Sequence, residues 1–271
     1  MAIRSGVRRV RLRRTIAILL LAPTTALAQR VDTGFLDRTV NVNGTTHRYQ
    51  VYVPVDYPTS APTQRWPVIL FLHGGGERGV DGLLQTNVGL PTAIRNSRAA
   101  YPAIVVMPQV PRDSVWLGGP AQVAMAALDR TLGELRTDPD RVYLTGLSLG
   151  GNGTWNLAYH FPDRFAAVVP ICAFITVRPS LPASRPIVPA DSGDPFAAIA
   201  RRLRRMPTWI VHGEIDPVVS VSESRRAADA FKAAGSDARY TEIMGGGHNV
   251  WDATYASPQF HEWLFAQRRR R

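Results

Sequence analysis

Three residues in the second half of the chain have the types that nucleophilic catalysis requires. Ser148 lies in Gly146-Leu147-Ser148-Leu149-Gly150, after the apolar run Arg141 to Thr145 and before a helix-like segment near Asn152. A serine that attacks a carbonyl must project from a sharp strand-to-helix turn, and flanking glycines let backbone pass close to it. The helix that follows aims its N-terminal N–H groups at developing negative charge. A serine hydroxyl is a poor nucleophile without a base. His248 follows three glycines, Gly245 to Gly247, 100 residues beyond the serine. The base needs an acid to orient it, and that acid should follow another strand. Asp216 fits, in His212-Gly-Glu-Ile-Asp-Pro-Val-Val after the apolar run Thr208 to Val211, with Pro217 fixing the chain beside it. Glu214 is its rival, or a charge that stabilises the loop.

Negative charge on a tetrahedral intermediate needs donors already in place. His73-Gly74-Gly75-Gly76 follows the apolar run Pro67 to Leu72. The backbone N–H of Leu149 and that of Gly75, with Gly76 as the alternative, are the expected oxyanion donors. His73 itself reads as a structural hydrogen-bonding residue. His47, His160, His212 and His261 are scattered and form no metal-ligand spacing, so each reads as a surface or core residue. The single cysteine, Cys172, excludes an intrachain disulfide and a cysteine zinc cage. No phosphate loop or dinucleotide fingerprint is present, and the expected metal and cofactor content is none. Trp116, Trp155 and Trp251 are candidates for an aromatic wall beside the acyl site, with core packing as the alternative reading.

These residues need a scaffold that brings them to one place. Thr39 to Val42 and His47 to Val53 flank Asn43-Gly44, a hairpin-turn signal. Runs at 67–72, 103–107, 141–145, 165–169 and 208–211 are mostly continuously apolar, as strands covered on both faces are. Helical patterns fill 121–135, 152–160 and 222–234, and a last strand at 239–244 and helix at 258–267 close the chain. The pattern predicts one α/β domain over residues 29–271: a mostly parallel sheet with an N-terminal antiparallel hairpin and helices on both faces. The proline-rich stretch 174–205 breaks this rhythm and reads as an irregular insertion, a lid or binding loop. Phe174, Ile175 and Phe196 could give it an apolar wall, and Arg178 and Arg185 could meet an acidic sugar. A passive surface loop is the alternative.

With 271 residues, 45% of them hydrophobic and 20% charged, the chain can bury one large core. The formal charge of +11 invites a nucleic-acid reading, but its distribution opposes it. Setting aside Arg4, Arg8, Arg9, Arg11, Arg13, Arg14 and the terminal Arg268 to Arg271 brings the charge to +1. A near-neutral body carries no footprint for phosphate backbones, and no nucleic-acid partner is expected. The early arginines precede an apolar stretch, Ile16 to Ala22, and a small-residue site, Ala26-Leu27-Ala28. This is a secretory leader over residues 1–28, with cleavage expected before Gln29. A 243-residue mature protein outside the cytoplasm, with no stable membrane insertion, is the expectation.

The order Ser, Asp, His matches the α/β-hydrolase arrangement. The stretches His73-Gly-Gly-Gly-Glu-Arg-Gly, Gly146-Leu-Ser-Leu-Gly-Gly-Asn-Gly-Thr-Trp, Pro162-Asp-Arg-Phe-Ala-Ala, His212-Gly-Glu-Ile-Asp-Pro-Val-Val and Gly247-His-Asn-Val-Trp-Asp carry a wider likeness. From about residue 66 onward the chain resembles secreted α/β-hydrolase esterases of the feruloyl-esterase and polyhydroxybutyrate-depolymerase-like type. It likewise resembles bacterial proteins labelled predicted peptidases, or phospholipase/carboxylesterase-like. The resemblance implies Ser148 as nucleophile, Asp216 as acid, His248 as base, Gly75 with Leu149 as oxyanion hole, and no cofactor. It implies a small-molecule or polysaccharide-linked carboxylic ester as substrate. Two readings compete: a peptidase resembling the prolyl-oligopeptidase catalytic domain, and a non-catalytic binding protein on the same fold.

Overall fold

The computed structural model describes residues 1–2 and 31–269, and residues 31–269 form one compact unit. The leader's apolar stretch and its cleavage site lie outside the described residues. Strands β1 (Gly34–Val42) and β2 (Thr45–Val53) form the expected hairpin. Asn43 and Gly44 both take positive φ, 51° and 81°, as a two-residue turn between twisted antiparallel strands requires.

The remaining strands are β3 (Trp66–Leu72), β4 (Ile104–Pro108), β5 (Thr137–Leu147), β6 (Ala167–Ile171), β7 (Trp209–Gly213) and β8 (Arg239–Ile243). They make one eight-stranded sheet in the order β1-β2-β4-β3-β5-β6-β7-β8. The β1–β2 and β2–β4 pairs are antiparallel and every other pair is parallel. Both faces are covered, which explains the unbroken apolar runs. Along β3, Val68, Leu70 and Leu72 enter one core while Ile69 and Phe71 enter the other. The first core takes α2 (Gly119–Glu134), α3 (Leu149–His160), α4 (Pro195–Leu203) and α5 (Ser222–Ala233). The second takes α1 (Leu90–Asn96), α6 (Trp251–Ala256) and α7 (Pro258–Ala266).

Three of these helices, α1, α4 and α6, depart from the sequence reading. The change at α4 matters most, because the stretch 174–205 is not irregular throughout. Asp194 caps α4 by accepting from the Ala197 N–H at 2.9 Å, and Pro195 occupies its first turn. Phe196, Ile199 and Leu203 are buried at helical spacing, in the core that α3 and α5 share. The rest of the stretch is anchored at its start. The Glu223 carboxylate, in the first turn of α5, accepts from the Ile175 N–H at 2.7 Å, the Thr176 N–H at 3.2 Å and the Thr176 hydroxyl at 2.6 Å.

Candidate active site

The parallel strands all end at one edge of the sheet, and ligands in open α/β sheets bind outside that edge. Ser148 follows β5 with φ 54° and ψ −114°, a conformation that side-chain-bearing residues rarely hold. Its N–H donates to the Ile171 carbonyl at 2.9 Å, and its carbonyl accepts from the Asn152 N–H at 3.1 Å. The turn also needs Gly150: a Cβ there would stand 1.9 Å from the Leu72 carbonyl oxygen. Helix α3 therefore starts at Leu149, three residues earlier than its pattern suggests, and presents the Leu149 N–H with no intrahelical acceptor.

Asp216 and His248 come from the loops after β7 and β8. Gly213 lets these loops touch backbone to backbone, since a Cβ there would lie 2.1 Å from the Gly247 carbonyl oxygen. His248 Nδ1–H donates to Asp216 Oδ2 at 2.6 Å, and His248 Nε2 accepts from Ser148 Oγ at 3.0 Å. The Asp216 side chain is fully buried and that of His248 is 17% exposed. Asp216 Oδ1 accepts from the Val218 and Val219 N–H groups at 2.8 and 2.9 Å. Burial pushes this carboxyl up, but donors from His212, His248, Val219 and Val218 outweigh it. The net position lies well below the ordinary carboxylate range. Glu214 instead turns to the neighbouring loop, accepting from the Gly245 N–H at 2.8 Å.

The loop after β3 is braced by its histidine. His73 Nδ1–H donates to the Gly74 carbonyl at 2.7 Å, Nε2 accepts from the Val110 N–H at 3.1 Å, and the His73 carbonyl accepts from Trp116 Nε1–H at 3.0 Å. Desolvation lowers the His73 pKa to about 4, against an opposing pull from the Gly74 carbonyl, so the ring is neutral and structural. Beyond it Gly75 faces open space. Its carbonyl accepts from Arg78 Nε–H at 2.9 Å. A cavity of about 440 Å³ flanks this loop, lined by Arg78, Arg112, Asp113, Val115 and residues 180–183 of the insertion.

The aromatic residues divide. Trp116 and Trp155 are 0% and 1% exposed: the first packs edge-on against His73, and the second stacks on Phe231. Phe174 is 3% exposed, beneath the Arg178 guanidinium. The expectation of a substrate wall at these three is corrected to core packing, because complete burial leaves no face for a ligand. Trp251 instead packs edge-to-face on the His248 ring at 5.1 Å and 87°. Arg178 and Arg185 spend donors on backbone, Arg178 on the Val218 carbonyl and Arg185 on those of Pro182 and Ser184. From sequence, two buried groups beside Asp216 read only as a surface or core histidine and a lone thiol. Cys172 Sγ–H donates to the His248 carbonyl at 3.1 Å, and burial pushes its pKa up to about 12. His212 lies against the carboxylate itself, 3.2 Å from Oδ2. No spacing in the sequence distinguishes either one.

Known proteins resemble this chain over most of its length. A protein named "Putative esterase NocK" from Nocardia uniformis subsp. tsuyamanensis is 29% identical over 248 residues, 82% of this chain and 68% of that protein. A solved thermostable esterase superimposes with a TM-score of 0.73 at 32% identity, over 87% of this chain and 63% of its own, so the chain spans under two thirds of that protein. A ferulic acid esterase from Anaeromyces mucronatus shares the fold, with a TM-score of 0.63 at 16% identity over 88% of this chain and 92% of its own. The model of the family Esterase, described as "Putative esterase", matches residues 41–265. With an eight-stranded α/β-hydrolase sheet and a family match spanning most of its length, the chain belongs to the Esterase family.

Proposed function

We propose that the protein is a secreted serine hydrolase that cleaves carboxylic esters through an acyl-enzyme intermediate. One observation carries the reading: an unbroken chain of hydrogen bonds, 2.6 and 3.0 Å long, from Asp216 through His248 to Ser148. Ser148 Oγ attacks the ester carbonyl carbon as His248 Nε2 takes the hydroxyl proton. The buried Asp216 carboxylate faces the imidazolium that forms. The N–H groups of Leu149 and Gly75 hold the oxyanion, the first at a helix N-terminus and the second in the braced loop after β3. Collapse expels the alcohol, which leaves with the proton from His248. Water then repeats the sequence on the acyl-serine, releasing the acid and restoring the serine.

The cleft beside Arg78 and residues 180–183 suits the group flanking the scissile bond, and Trp251 suits an apolar contact near the base. Secretion rests on the leader pattern at residues 1–28, and no helix among the described residues is long and apolar enough to cross a membrane. A small-molecule or polysaccharide-linked ester is the proposed substrate, with no nucleic-acid partner.

The test is hydrolysis of acetyl, feruloyl, longer-chain and peptide substrates by the purified protein, with a fluorophosphonate label to mark the nucleophile. Ser148→Ala should abolish both labelling and ester hydrolysis, a loss of about 10⁶ in turnover. Activity above a few per cent in a clean Ser148→Ala preparation refutes the nucleophile. Cleavage of peptides alone moves the reading to a peptidase.

A further inference from the structure

The chain holds a second imidazole on the proposed acid. His212, the fourth residue of β7, is fully buried. Its Nε2 lies 2.9 Å from the Val219 carbonyl oxygen and 3.2 Å from Asp216 Oδ2. A carbonyl oxygen only accepts, so Nε2 must carry the proton. The other nitrogen, Nδ1, lies 2.7 Å from the buried hydroxyl of Ser224 in the first turn of α5. Nδ1 and that hydroxyl hydrogen-bond to each other. Both ring nitrogens are thereby committed, and the Nε2–H is shared between a backbone carbonyl and the carboxylate.

We infer that His212 is a positioning residue, holding the Asp216 carboxylate in the orientation that gives Oδ2 to His248. The inference rests on the triad reading above. Two backbone N–H groups fix Oδ1, whereas Oδ2 faces the two imidazoles. Without His212 the carboxylate can turn about its Oδ1 anchor, and the bond to His248 loosens. A looser bond stabilises the protonated His248 less, so the base gives up its proton more readily and takes the serine proton less well.

The other groups around this cluster are already engaged. From β8, Glu242 is held by the Arg225 guanidinium and the Tyr240 hydroxyl. Glu214 takes the Gly245 N–H, Glu223 takes the start of the insertion, and just after β6 the protonated Cys172 thiol reaches the His248 carbonyl and the Asp216 carboxylate. The three glutamates carry no donor for Oδ2.

The test compares His212→Leu, which removes the donor, with His212→Gln, whose amide N–H can replace it. Ester hydrolysis is followed from pH 5 to 9, and urea unfolding is measured on each variant. For His212→Leu we expect turnover to fall ten-fold or more with little change in KM. The acid limb of kcat/KM should move down by about half a pH unit or more. His212→Gln should restore the wild-type limb and much of the rate. Should His212→Leu fail to fold, Ser224→Ala, which frees Nδ1, should move the limb the same way by less. Equal losses in the Leu and Gln variants with an unmoved acid limb would overturn the inference. So would an unmoved limb in Ser224→Ala if that variant decides the matter. A wild-type protein that takes no fluorophosphonate label at Ser148 instead refutes the triad reading.

Discussion

Asp216→Asn replaces one oxygen by NH₂, and the surroundings dictate which way the amide faces. Oδ1 receives two backbone N–H groups, from Val218 and Val219. The amide oxygen must stay there, because NH₂ would oppose two donors. That turns the NH₂ toward His248 Nδ1 and His212 Nε2, where Oδ2 stood 2.6 and 3.2 Å away. Nδ1 of His248 must then accept, so the imidazole proton moves to Nε2, the atom facing Ser148 Oγ. A protonated Nε2 cannot take the serine proton, and the charge that stabilised the imidazolium is gone. Turnover should fall by about 10⁴, a barrier increase of ~5.5 kcal/mol. KM should hardly change, since the Asp216 side chain is fully buried and cannot touch substrate. Glu214→Gln should be mild, because an amide oxygen still accepts from Gly245. The assay is steady-state hydrolysis of a small acetyl ester by both variants at pH 7.5. Reversed or equal losses would refute the assignment of the acid.

The same carboxylate sets a pH dependence of stability: its folded pKa is depressed, so its contribution is present above the unfolded value near ~4 and is lost as pH falls through the folded value. The stability gap between wild type and Asp216→Asn, measured by urea unfolding, should be flat from pH 7 to 5 and close in stronger acid. Gly150→Ala should cost about 3 kcal/mol, as overpacking against the Leu72 carbonyl demands a backbone shift; an unchanged urea midpoint would contradict the close approach. Trp155→Ala should cost about 3–5 kcal/mol from a core cavity, while KM in the folded variant stays near wild type. A raised KM there would return Trp155 to the substrate wall. Glu223→Ala leaves the Ile175 and Thr176 donors without their acceptor and should cost about 2 kcal/mol. Limited proteolysis within 176–186 should speed up.

Much of the scaffold was readable along the chain because its signals are local. Continuous apolar runs marked the strands from β3 to β7, and Asn43-Gly44 announced the hairpin through its own backbone conformation. The elbow glycines and the order of serine, acid and histidine pointed to one sheet edge, since a parallel sheet delivers every strand's end to the same side. Helices α1 and α6 were missed because seven and six residues are too few for a period to stand out. In α4, the prolines nearby masked a helix whose pattern is clear only once its N-cap is known.

What the sequence could not decide was burial and partnership, because these depend on residues that are remote along the chain. Trp116, Trp155 and Trp251 are the same residue type, yet of the three Trp251 is the one on the His248 ring, because α6 follows the loop that carries His248. Asp216 and Glu214 are two residues apart; backbone direction at the end of β7 aims one at His248 and the other at Gly245. His212 looked like any core histidine until folding set it against Asp216 and Ser224. Residue order along the chain determined which chemistry was available. The tertiary structure decided which donors meet which acceptors, because a hydrogen bond forms only where strands and helices far apart in sequence bring two atoms within about 3 Å.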